Sequence, residues 1–532
     1  MQTPRLSDTR LVGIARWATN RMAHVKNPVL AERVLGVASH RIQDSRTRAD
    51  VLTEAAEARL GLGYAPRHLT QAYAAELVCA DEHHKAGRRK AAAASAAKAL
   101  ILAFHRVAHL DGTTSPLATD PARFTAPMRR SRTLRALRAP RGRSAPAAVP
   151  PENRPLRLLF VHSGNDNFLP TVMDRYRQRP DTEVRVLNTA ADPVTAPLAK
   201  GMGRMIACGL GVRSGGYADR TEEALRPHLE WADVVFVDWC TAAAAFLTLV
   251  DPGTARVVVR LHSFEAFSYW PHLVDFSRVD DLVFVSEHLR DLAVATLPRL
   301  REPDAPATHV IDNAVDLTRF ALPKKPEARF TLGLVGVGQV AKDPRWALEV
   351  LRVLRRKDDR YRLRLIGGPM NPDAGPALAR YHAAYAEELA PLVAAGAVHM
   401  SGHTDDVPAE LTEVGLILST SIRESWHLGL VEGAASGAVP VVRDWPFFAD
   451  KPHGAHSLFP RDWVVSTPQE AAERILAVND TEESWLKAGH EASEVAISSW
   501  DWGTVGPLYD QLLPVAESVG VPAQRTQRTP VE

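Results

Sequence analysis

The stretch ILSTSIRESWHLGLVEGAASGAVPVV, residues 417–442, determines how the second half of the chain is interpreted. Its pattern predicts a strand, a loop over IRESWH, a helix over LGLVEGAAS and a second strand over VPVV. Two acids interrupt the apolar and small residues. Glu424 falls in the loop at the carboxyl end of the first strand, and Glu432 falls early in the helix. Because ligands of parallel sheets bind beyond the carboxyl ends of the strands, both acids are predicted to face a binding cleft.

The same alternation of strands and helices extends outward over most of the chain. Short runs rich in β-branched residues recur from Leu156, among them LRLLFV, DVVFVDW and ARVVVRLH, and a second series runs from TLGLVGV to DWVVS. Near-continuous apolar strands between helices indicate parallel sheets covered on both faces. A connection rich in proline and charge near Leu322 separates the two series. We therefore predict an α/β protein with two tandem doubly wound, Rossmann-like domains, over residues 156–321 and 322–497.

The first 155 residues have a different character. Residues 1–110 show apolar residues at three- and four-residue spacing, which predicts helices. Part of this region, with Gly87 at a turn, resembles one tetratricopeptide-type helical pair, and a plain helical bundle is the alternative. Residues 111–155, rich in Pro, Ala, Ser and Arg, are predicted to be an extended or disordered linker. Two interpretations of its arginines are open. They are exposed to solvent, or they contact anionic lipid or an acidic partner. The tail, residues 516–532, is predicted to be disordered.

Length, charge and cysteine usage limit the class of protein. The chain has 532 residues, a net charge of +2 and three cysteines. That length predicts two or three domains, and the near-zero charge gives no argument for nucleic-acid binding. Cys79, Cys208 and Cys240 lie far apart without metal-ligand spacing, which favours a reduced cytosol. No signal-peptide pattern and no run of about 18 apolar residues is found, so a cytoplasmic protein is predicted.

The start of the predicted helix suggests a ligand chemistry. A helix N-terminus presents free backbone N–H groups and the positive end of the helix dipole, which suit a phosphate group. Two carboxylates beside such a site are useful if they accept hydrogen bonds from hydroxyl groups. Ribose and hexose rings supply hydroxyl groups, so the pattern indicates a ligand that carries both phosphate and sugar.

The segment RESWHLGLVEGAASGAVPVV resembles the E-x7-E motif of retaining glycosyltransferases with the GT-B fold, family 4. In that family the first glutamate contacts the donor sugar and the second contacts the nucleotide ribose, which implies these roles for Glu424 and Glu432. The resemblance also implies donor contacts by Leu428 and Gly429 at the helix start. The family often has Glu-Gly-Phe-Gly where this chain has Glu-Ser-Trp-His. A side chain, His427, therefore stands where the backbone often approaches the donor.

The resemblance covers about residues 156–515, and it is strong in the second domain. LVGVGQVAKDPRW resembles the first strand, loop and helix of the family's nucleotide domain. It implies that Lys342 binds the diphosphate and that Gly338 lies against the donor. The family often has an arginine after the first loop glycine, where this chain has Val337. SSWDWGTVGPLYDQLL resembles the helix that crosses back to the first domain, and it is assigned to residues 498–515.

In the first domain the resemblance rests on strand ends. VVVRLHSFEAF places His262 at the carboxyl end of a strand, where family members often have a donor-site histidine. A core histidine with satisfied hydrogen bonds is the alternative. The loop HSGNDNF, with Gly164 and Asn165, faces the acceptor in this architecture, and an ordinary strand-to-helix turn is the alternative.

The resemblance implies an enzyme that moves a sugar from a nucleotide sugar to an acceptor with retention of configuration. Glu424, His262 and Lys342 are its implied catalytic residues. The acceptor is a carbohydrate, a lipid-linked molecule or a small molecule. No cofactor is implied beyond the donor substrate. The sequence has no Asp-x-Asp, so it offers no candidate for the metal site common in the other glycosyltransferase architecture.

Two other classes of protein remain as alternatives. A dinucleotide-dependent dehydrogenase fits the pattern Gly336-x-Gly338-x-x-Ala341 after a strand. The next predicted strand, however, ends in two glycines and not in the acid that would hold a ribose, and the two glutamates stay unexplained. The second alternative is a non-catalytic scaffold that binds sugar nucleotides. A turnover assay with several nucleotide sugars separates it from an enzyme.

Overall fold

The computed structural model describes residues 7–24, 28–313 and 315–513. An all-helical region comes first, and two units of alternating strands and helices follow it. The first five helices are α1 (Asp8–His24), α2 (Pro28–Ser39), α3 (Ser45–Leu60), α4 (Leu69–Lys85) and α5 (Arg89–Ala103). Helices α4 and α5 form a hairpin whose turn contains Gly87 with φ +72°. They approach closely because the facing side chains of Ala80, Ala92 and Ala96 are small and fully buried.

Helix α5 begins an unusually apolar stretch. Arg89–His109 is the one helical stretch of the described residues that is long and apolar enough, by length and composition alone, to cross a membrane. Of its most apolar window, 67% is buried inside the protein. Lys98 within it pairs with the buried Glu76 of α4, with Nζ 2.9 Å from Oε1. Such burial is typical of a core helix.

The prediction of an extended or disordered linker over residues 111–155 is wrong for its first half. Four short helices lie there or directly before it: α6 (Arg106–His109), α7 (Pro116–Thr119), α8 (Pro121–Arg130) and α9 (Arg132–Leu137). Serine and proline are common in linkers, but here they stand at the starts of helices. The side chains of Ser115, Asp120 and Ser131 instead accept hydrogen bonds from backbone N–H groups and so cap three of the helices. Prolines follow two of these caps, in the first helical turn, where no amide donor is needed.

The second half of this segment, residues 138–155, has neither helix nor strand. Arg141, Arg143 and Arg154 of this half are paired with acids of the first α/β unit. Arg141 Nε lies 2.9 Å from Asp275 Oδ2, and Arg143 Nη1 lies 2.5 Å from Asp280 Oδ2. These arginines are therefore held by ion pairs within the protein, and the segment is fixed to the first unit.

The first α/β unit is a six-stranded parallel sheet with helices on its faces. Its strands are β1 (Leu156–His162), β2 (Thr182–Asn188), β3 (Val234–Asp238), β4 (Arg256–Leu261), β5 (Asp281–Phe284) and β6 (Ala307–Val310). Its helices are α10 (Leu169–Arg177), α11 (Ala196–Ala199), α12 (Met202–Gly209), α13 (Tyr217–Trp231), α14 (Ala242–Leu247), α15 (Ser263–Ala266) and α16 (Glu287–Thr296). The strand order is β2-β1-β3-β4-β5-β6. Every residue of the central strand β3 is buried, which is why its sequence is continuously apolar up to its last residue.

The second α/β unit repeats this architecture, with the strand order β12-β11-β10-β7-β8-β9. Its strands are β7 (Thr331–Val335), β8 (Arg362–Ile366), β9 (Val398–Gly402), β10 (Leu416–Ser419), β11 (Val439–Arg443) and β12 (Val464–Val465). Its helices are α17 (Pro344–Arg355), α18 (Pro376–Ala394), α19 (Val407–Leu411), α20 (Leu428–Ala435), α21 (Ala455–Leu458) and α22 (Pro468–Val478). All the strand pairs are parallel. The predicted fold class, two tandem doubly wound domains after a helical region, is confirmed.

Two helices close the described chain, α23 (Glu482–Trp500) and α24 (Trp502–Leu512). Helix α24 packs against the first sheet, because Tyr509 belongs to the same buried apolar cluster as Phe160 of β1 and Phe236 of β3. The Tyr509 hydroxyl also accepts a hydrogen bond from Arg260 of β4, at 2.8 Å. The tail predicted to be disordered, from residue 516, lies outside the described residues.

The helical region and the first α/β unit share one apolar core. Leu100 of α5, Phe124 of α8 and Leu134 of α9 are buried in the same cluster as Leu159 and Val161 of β1. Because the apolar faces of the helical region and of the first unit are buried together, this burial stabilises both regions.

The helical region also contacts the second α/β unit. Gly63, in the turn between α3 and α4, has φ +73°, and a Cβ added there would come 2.3 Å from the backbone nitrogen of Ala377 in α18. Arg380 of α18 donates a hydrogen bond to the Gly63 carbonyl at 2.7 Å, and its guanidinium lies 3.6 Å from the ring centroid of Tyr64. The helical region therefore joins the two units on the outside of the molecule.

Candidate functional site

Helix α20 and the loop before it form one side of the candidate site. The loop ends at His427, which precedes α20 in a left-handed conformation with φ +74°. The helix lies close to the sheet. A Cβ added at Gly429 would come 2.6 Å from Cβ of Val335, and one at Gly433 would come 2.4 Å from Cγ1 of Ile417. Glycine at these two positions lets α20 begin beside the end of β7 and then lie against β10.

The carboxylate of Glu424 is the centre of a compact, part-buried group. Its Oε1 accepts hydrogen bonds from Nζ of Lys342 at 2.7 Å and from Oγ of Ser421 at 2.6 Å. Nε2 of His427 lies 3.8 Å from the same oxygen. Burial favours the neutral carboxyl, but the charge of Lys342 and these hydrogen bonds outweigh it and lower the pKa of Glu424 to about 2. Glu424 is therefore ionised at neutral pH and accepts hydrogen bonds without donating any.

Lys342 comes from the loop that follows β7. It ends the short 3-10 turn Val340–Lys342, and its carbonyl accepts a hydrogen bond from the hydroxyl of Thr420. The next residue, Asp343, has φ +43°, and its Oδ2 lies 2.7 Å from Nη1 of Arg443. The second unit therefore fixes the backbone on both sides of the lysine.

Gly338 lies earlier in the same loop and faces the end of β8. A Cβ added at Gly338 would come 3.3 Å from the carbonyl oxygen of Gly368. Gly336, with φ +83°, lies next to the side chain of Lys342, since a Cβ added there would come 3.5 Å from Cε of Lys342. Between β7 and the lysine, the two glycines are half-buried, Gln339 is exposed and the two valines are buried.

His427 is buried beside Glu424 and is neutral. Its Nδ1 lies 2.6 Å from Oγ of Ser419, and its Nε2 has no hydrogen-bond partner among the described residues. Burial and the nearby charge of Lys342 lower the pKa of His427 to about 3. Leu428, which is half-buried, and the buried Gly429 follow it as the first residues of α20. Nε2 is thus an unused polar atom beside the helix start.

Glu432 lies in the second turn of α20 and has a different environment from Glu424. It is 7% exposed, and its carboxylate has no hydrogen-bond partner in the described part of the chain. Burial raises the pKa of Glu432 to about 7, and the charge of Arg319 opposes the rise only weakly. The two glutamates of the opening stretch therefore differ at neutral pH, since Glu424 is fully ionised and Glu432 is partly protonated.

His262 lies on the first unit, directly after β4. It precedes α15, and its Nδ1 is 3.7 Å from Oε1 of the buried Glu265. Neither ring nitrogen of His262 has a hydrogen-bond partner among the described residues. The ring stacks on Trp239, with centroids 4.1 Å apart. This environment differs from that of a core histidine with satisfied hydrogen bonds.

Gly164 and Asn165 lie in the exposed loop after β1. Gly164 has φ +101°, and Oδ1 of Asn165 accepts a hydrogen bond from the backbone N–H of Asn167 at 3.3 Å. Such a contact is typical of an Asx turn. Within the described residues no hydrogen bond joins this loop to the Glu424 group.

Three hydrogen bonds connect the Glu424 loop to the first unit. His288 Nε2 lies 3.0 Å from the carbonyl oxygen of Glu424. The backbone N–H of Ser263 donates to Oγ of Ser425 at 2.9 Å, and Arg423 Nη1 donates to Oγ of Ser263 at 3.2 Å. The carboxyl ends of the two sheets therefore face each other here, with the loop between them.

The structure adds residues that sequence reasoning missed. His288, Ser421 and Arg443 hold the Glu424 loop or the lysine turn, and Ser263 and Ser425 join the two units. His288 lies four residues after the end of β5, as the second residue of α16, so a search confined to the residue after each strand does not find it. Ser421 and Arg443 carry no sequence signal either, because serine and arginine are common near strand ends for many reasons.

One group of side chains in the described residues has a spacing that could hold a metal ion. It consists of Glu287 and Asp291 of α16 and His453 of the second unit. Asp291 already pairs with His453, with Oδ2 2.7 Å from Nδ1, and Glu287 pairs with Arg290. These existing ion pairs account for the group. It shares no residue with the Glu424 group.

Comparison with known proteins gives a likeness at the level of the fold. No family model and no curated protein sequence matches this chain. The structure of HepE from Anabaena in complex with UDP and glucose has 16% sequence identity and a TM-score of 0.50, covering 67% of this chain and 99% of HepE. The HepE complex with UDP-glucose gives the same values. The trehalose-6-phosphate synthase OtsA has 14% identity and a TM-score of 0.48, covering 68% of this chain and 99% of OtsA. The two facing Rossmann-like units have the GT-B fold.

Proposed function

We propose that this protein is a glycosyltransferase that moves a hexose from a nucleotide diphosphate sugar to an acceptor, with retention of configuration and without a metal ion. The observation that carries the proposal is the part-buried contact of Lys342 with Glu424 beside the start of α20, at the carboxyl edge of the second sheet. A cation suited to a diphosphate and an acid suited to sugar hydroxyls are therefore joined by a direct hydrogen bond. The E-x7-E spacing of Glu424 and Glu432 supports the same assignment.

In the proposed reaction a bond forms between an acceptor oxygen and the anomeric carbon of the donor, while the bond from that carbon to the diphosphate breaks. The acceptor hydroxyl proton passes to the departing diphosphate oxygen on the same face. Lys342 and the free N–H groups at the start of α20 stabilise the negative charge that develops on the diphosphate. Glu424 is ionised and so holds a sugar hydroxyl without acting as an acid. His262 contacts the sugar or its departing oxygen.

Donor binding is tested with UDP-glucose first, because HepE, which has a similar fold, was solved with it. We expect UDP-glucose or another nucleotide sugar to raise the melting temperature, since a ligand at 100 times its Kd adds roughly 2.7 kcal/mol of stability. We also expect release of nucleoside diphosphate in excess EDTA, because Lys342 supplies the positive charge. Melting curves and a coupled assay for the released diphosphate measure the two effects.

The outcomes of that test distinguish the proposed metal-free enzyme from the alternative functions. Nucleotide sugars that bind but never turn over would favour a non-catalytic scaffold. Turnover that EDTA abolishes and magnesium or manganese restores would contradict the metal-free mechanism. A chain that binds no nucleotide sugar and no nucleoside diphosphate would remove the proposal altogether.

The raised pKa of Glu432 gives a separate prediction. At pH 7 its carboxyl is about half protonated, and hydrogen bonds from ribose hydroxyls favour the carboxylate. Binding of UDP-glucose should therefore release about half a proton near pH 7 and almost none above pH 9. UDP-glucose has no group that titrates near pH 7, so calorimetric titration in phosphate and in Tris buffer measures this release directly.

The matched control replaces Glu432 with glutamine, which is expected to abolish the proton release and to weaken binding by about 10-fold or more. Glu387→Gln makes the same change on an exposed residue of α18 and should leave both quantities unchanged. Proton release that persists in Glu432→Gln would assign it to another group and would count against the ribose contact.

A further inference from the structure

The helical region has a strong local excess of positive charge. Residues 83–137 contain eleven lysines and arginines, two aspartates and no glutamate, whereas the net charge of the whole chain is +2. Both aspartates are used within this stretch, since Asp111 pairs with Arg106 and Asp120 caps α8. The positive charge is therefore concentrated here and is not balanced by acids of the same stretch.

Seven of these basic side chains lie close together on the surface, and we refer to them as the basic face. The start of α9 is fixed to the end of α4, because Asp81 Oδ1 accepts hydrogen bonds from Oγ of Ser131 and from the backbone N–H of Thr133, both at 2.8 Å. Helix α9 also packs against α5, so its arginines lie beside the turn between α4 and α5. The basic face consists of the exposed residues Lys85, Arg88, Arg89 and Lys90 at this turn and Arg130, Arg132 and Arg135 at the end of α8 and on α9.

The charges of the basic face are not matched by acids. Within the described residues none of the seven side chains forms an ion pair. Three of them donate only to a histidine nitrogen or to backbone carbonyl oxygens, and the other four donate no hydrogen bond in the described part of the chain. Glu82, an exposed acid of α4, accepts a hydrogen bond from the hydroxyl of Ser45 at 2.6 Å. Like charges this close repel one another, and an anionic surface relieves that repulsion.

Three classes of anionic partner fit exposed positive charge: nucleic acid, acidic protein and lipid. Single-stranded nucleic acid is bound through exposed aromatic side chains, but Phe104 and Phe124, the aromatic residues of 83–137 besides histidine, are buried. Acidic peptides are recognised by guanidinium groups fixed in place, whereas most side chains of the basic face are not held by hydrogen bonds. A layer of lipid headgroups needs no fixed geometry, and each lysine or arginine near it strengthens binding about fivefold. These features favour an anionic lipid surface.

Helix α8 connects the basic face to the gap between the two sheets. Arg130 ends this helix of ten residues. Thr119, just before its cap, accepts a contact from Lys451 of the second unit, with Nζ 3.5 Å from the carbonyl oxygen. Helix α8 also packs against α16, whose His288 contacts the Glu424 loop. Because ten helical residues span about 15 Å, a surface bound at the basic face lies near this edge of the gap.

We propose that the basic face docks the protein on a membrane by binding anionic phospholipid headgroups. The attachment is electrostatic and reversible, because the face offers charges and no exposed aromatic side chain for insertion. The docked protein holds the gap between the two sheets near the membrane surface, where lipid-linked molecules are found. The inference goes beyond the proposed glycosyltransferase function and does not depend on it, although a lipid-linked acceptor is one of the acceptor classes that suit that function.

The test measures co-sedimentation of the full chain with lipid vesicles. One set of vesicles contains equal parts of phosphatidylcholine and phosphatidylglycerol, and the other contains phosphatidylcholine alone. We expect binding to the anionic vesicles at low salt and no binding to the neutral ones. Binding should be lost in about 1 M sodium chloride, where the Debye length falls to about 3 Å.

The triple variant Arg130→Gln/Arg132→Gln/Arg135→Gln removes three charges of the basic face. It should weaken binding to the anionic vesicles about 100-fold, since each charge contributes about fivefold. The three side chains are exposed and form no ion pair in the described part of the chain, so the melting temperature should stay close to that of the wild-type chain. If melting shows that this variant does not fold, Lys85→Gln/Lys90→Gln replaces it, with an expected weakening of about 30-fold.

The matched control makes the same change of charge on the two α/β units. It replaces with glutamine three exposed residues that have no ion pair among the described residues, Arg301, Lys357 and Arg461. This control should bind the anionic vesicles like the wild-type chain. Both triple variants should bind UDP-glucose like the wild-type chain, because none of the altered residues belongs to the candidate site.

The inference is overturned if the chain does not bind the anionic vesicles, if it binds the neutral vesicles equally well, or if the folded variants of the basic face bind like the wild-type chain. It is also overturned if duplex DNA or polyglutamate, at the same concentration of charge as the lipid, displaces the chain from the vesicles, which would assign the face to nucleic acid or to an acidic protein. Vesicle binding through the basic face in a chain that binds no nucleotide sugar would keep the inference and refute the proposed function. Nucleotide-sugar binding without vesicle binding would do the reverse.

Discussion

Replacing Lys342 with methionine is expected to lower kcat for sugar transfer by about 100- to 1000-fold. The reason is that the lysine is the cation that the structure holds beside the start of α20, where the diphosphate is proposed to leave. Methionine has a similar length and no charge, so it removes the electrostatic stabilisation and keeps most of the volume. Steady-state kinetics with the best donor of the nucleotide sugar screen measures the effect.

The same variant leaves the buried carboxylate of Glu424 without its cation, which costs about 3–5 kcal/mol of folding stability. The double variant Lys342→Met/Glu424→Gln removes both charges and should recover much of the melting temperature without recovering activity. Lys325→Met removes an exposed lysine that pairs with Glu413, and it should leave stability and kcat nearly unchanged.

This comparison separates catalysis from folding. Activity that returns in the double variant along with stability would mean that Lys342 acts only through the fold. A Lys342→Met protein with kcat within threefold of wild type would contradict the proposed role of the lysine.

Removing the helical region is expected to have the second large effect. A chain that starts at Pro155 exposes the side of the first unit that now packs against Leu100, Phe124 and Leu134. Each buried leucine or phenylalanine contributes roughly 1.5–3 kcal/mol, so these three side chains alone contribute about 4.5–9 kcal/mol, which is comparable to the total stability of a typical domain. We expect an insoluble or non-cooperatively melting protein, which light scattering and calorimetry detect.

A chain shortened at its other end, lacking residues 516–532, is the control and should melt like the full chain. If the chain from Pro155 stays soluble, melts in one transition and binds nucleotide like the full chain, the helical region is an independent domain. In that case the shared apolar core contributes little to the stability of the first unit.

The α/β architecture was predictable from the sequence because parallel strands covered on both faces are continuously apolar. Segments such as DVVFVDW have no competing interpretation as a surface helix. The candidate site was partly predictable for a related reason, since strand ends and helix starts locate Glu424, Lys342 and His262. That Lys342 contacts Glu424 could not be inferred, because the motif assigns each side chain to a different part of a ligand.

The packing of the helical region, as far as the structure describes it, was not predictable. Caps such as Ser115 and Asp120 resemble linker residues until the apolar side chains between them, Phe124 and Met128, are known to be buried. The contact of Gly63 with α18 depends on a turn conformation and on a surface far away in the sequence. Neither the caps nor this contact produces a periodic pattern in the sequence.

The contact between Gly63 and Arg380 has a mechanical consequence. The first unit holds the helical region through a shared core, and the second unit holds it at this corner. Any rotation that widens the gap between the sheets must break the corner contact or pull the helical region along. Ligand affinity in the gap and attachment at the corner are therefore linked thermodynamically, and each changes the other by the same free energy. A molecule that binds the turn around Gly63 and breaks this contact should therefore change ligand affinity in the gap between the two sheets, which makes the turn an allosteric position.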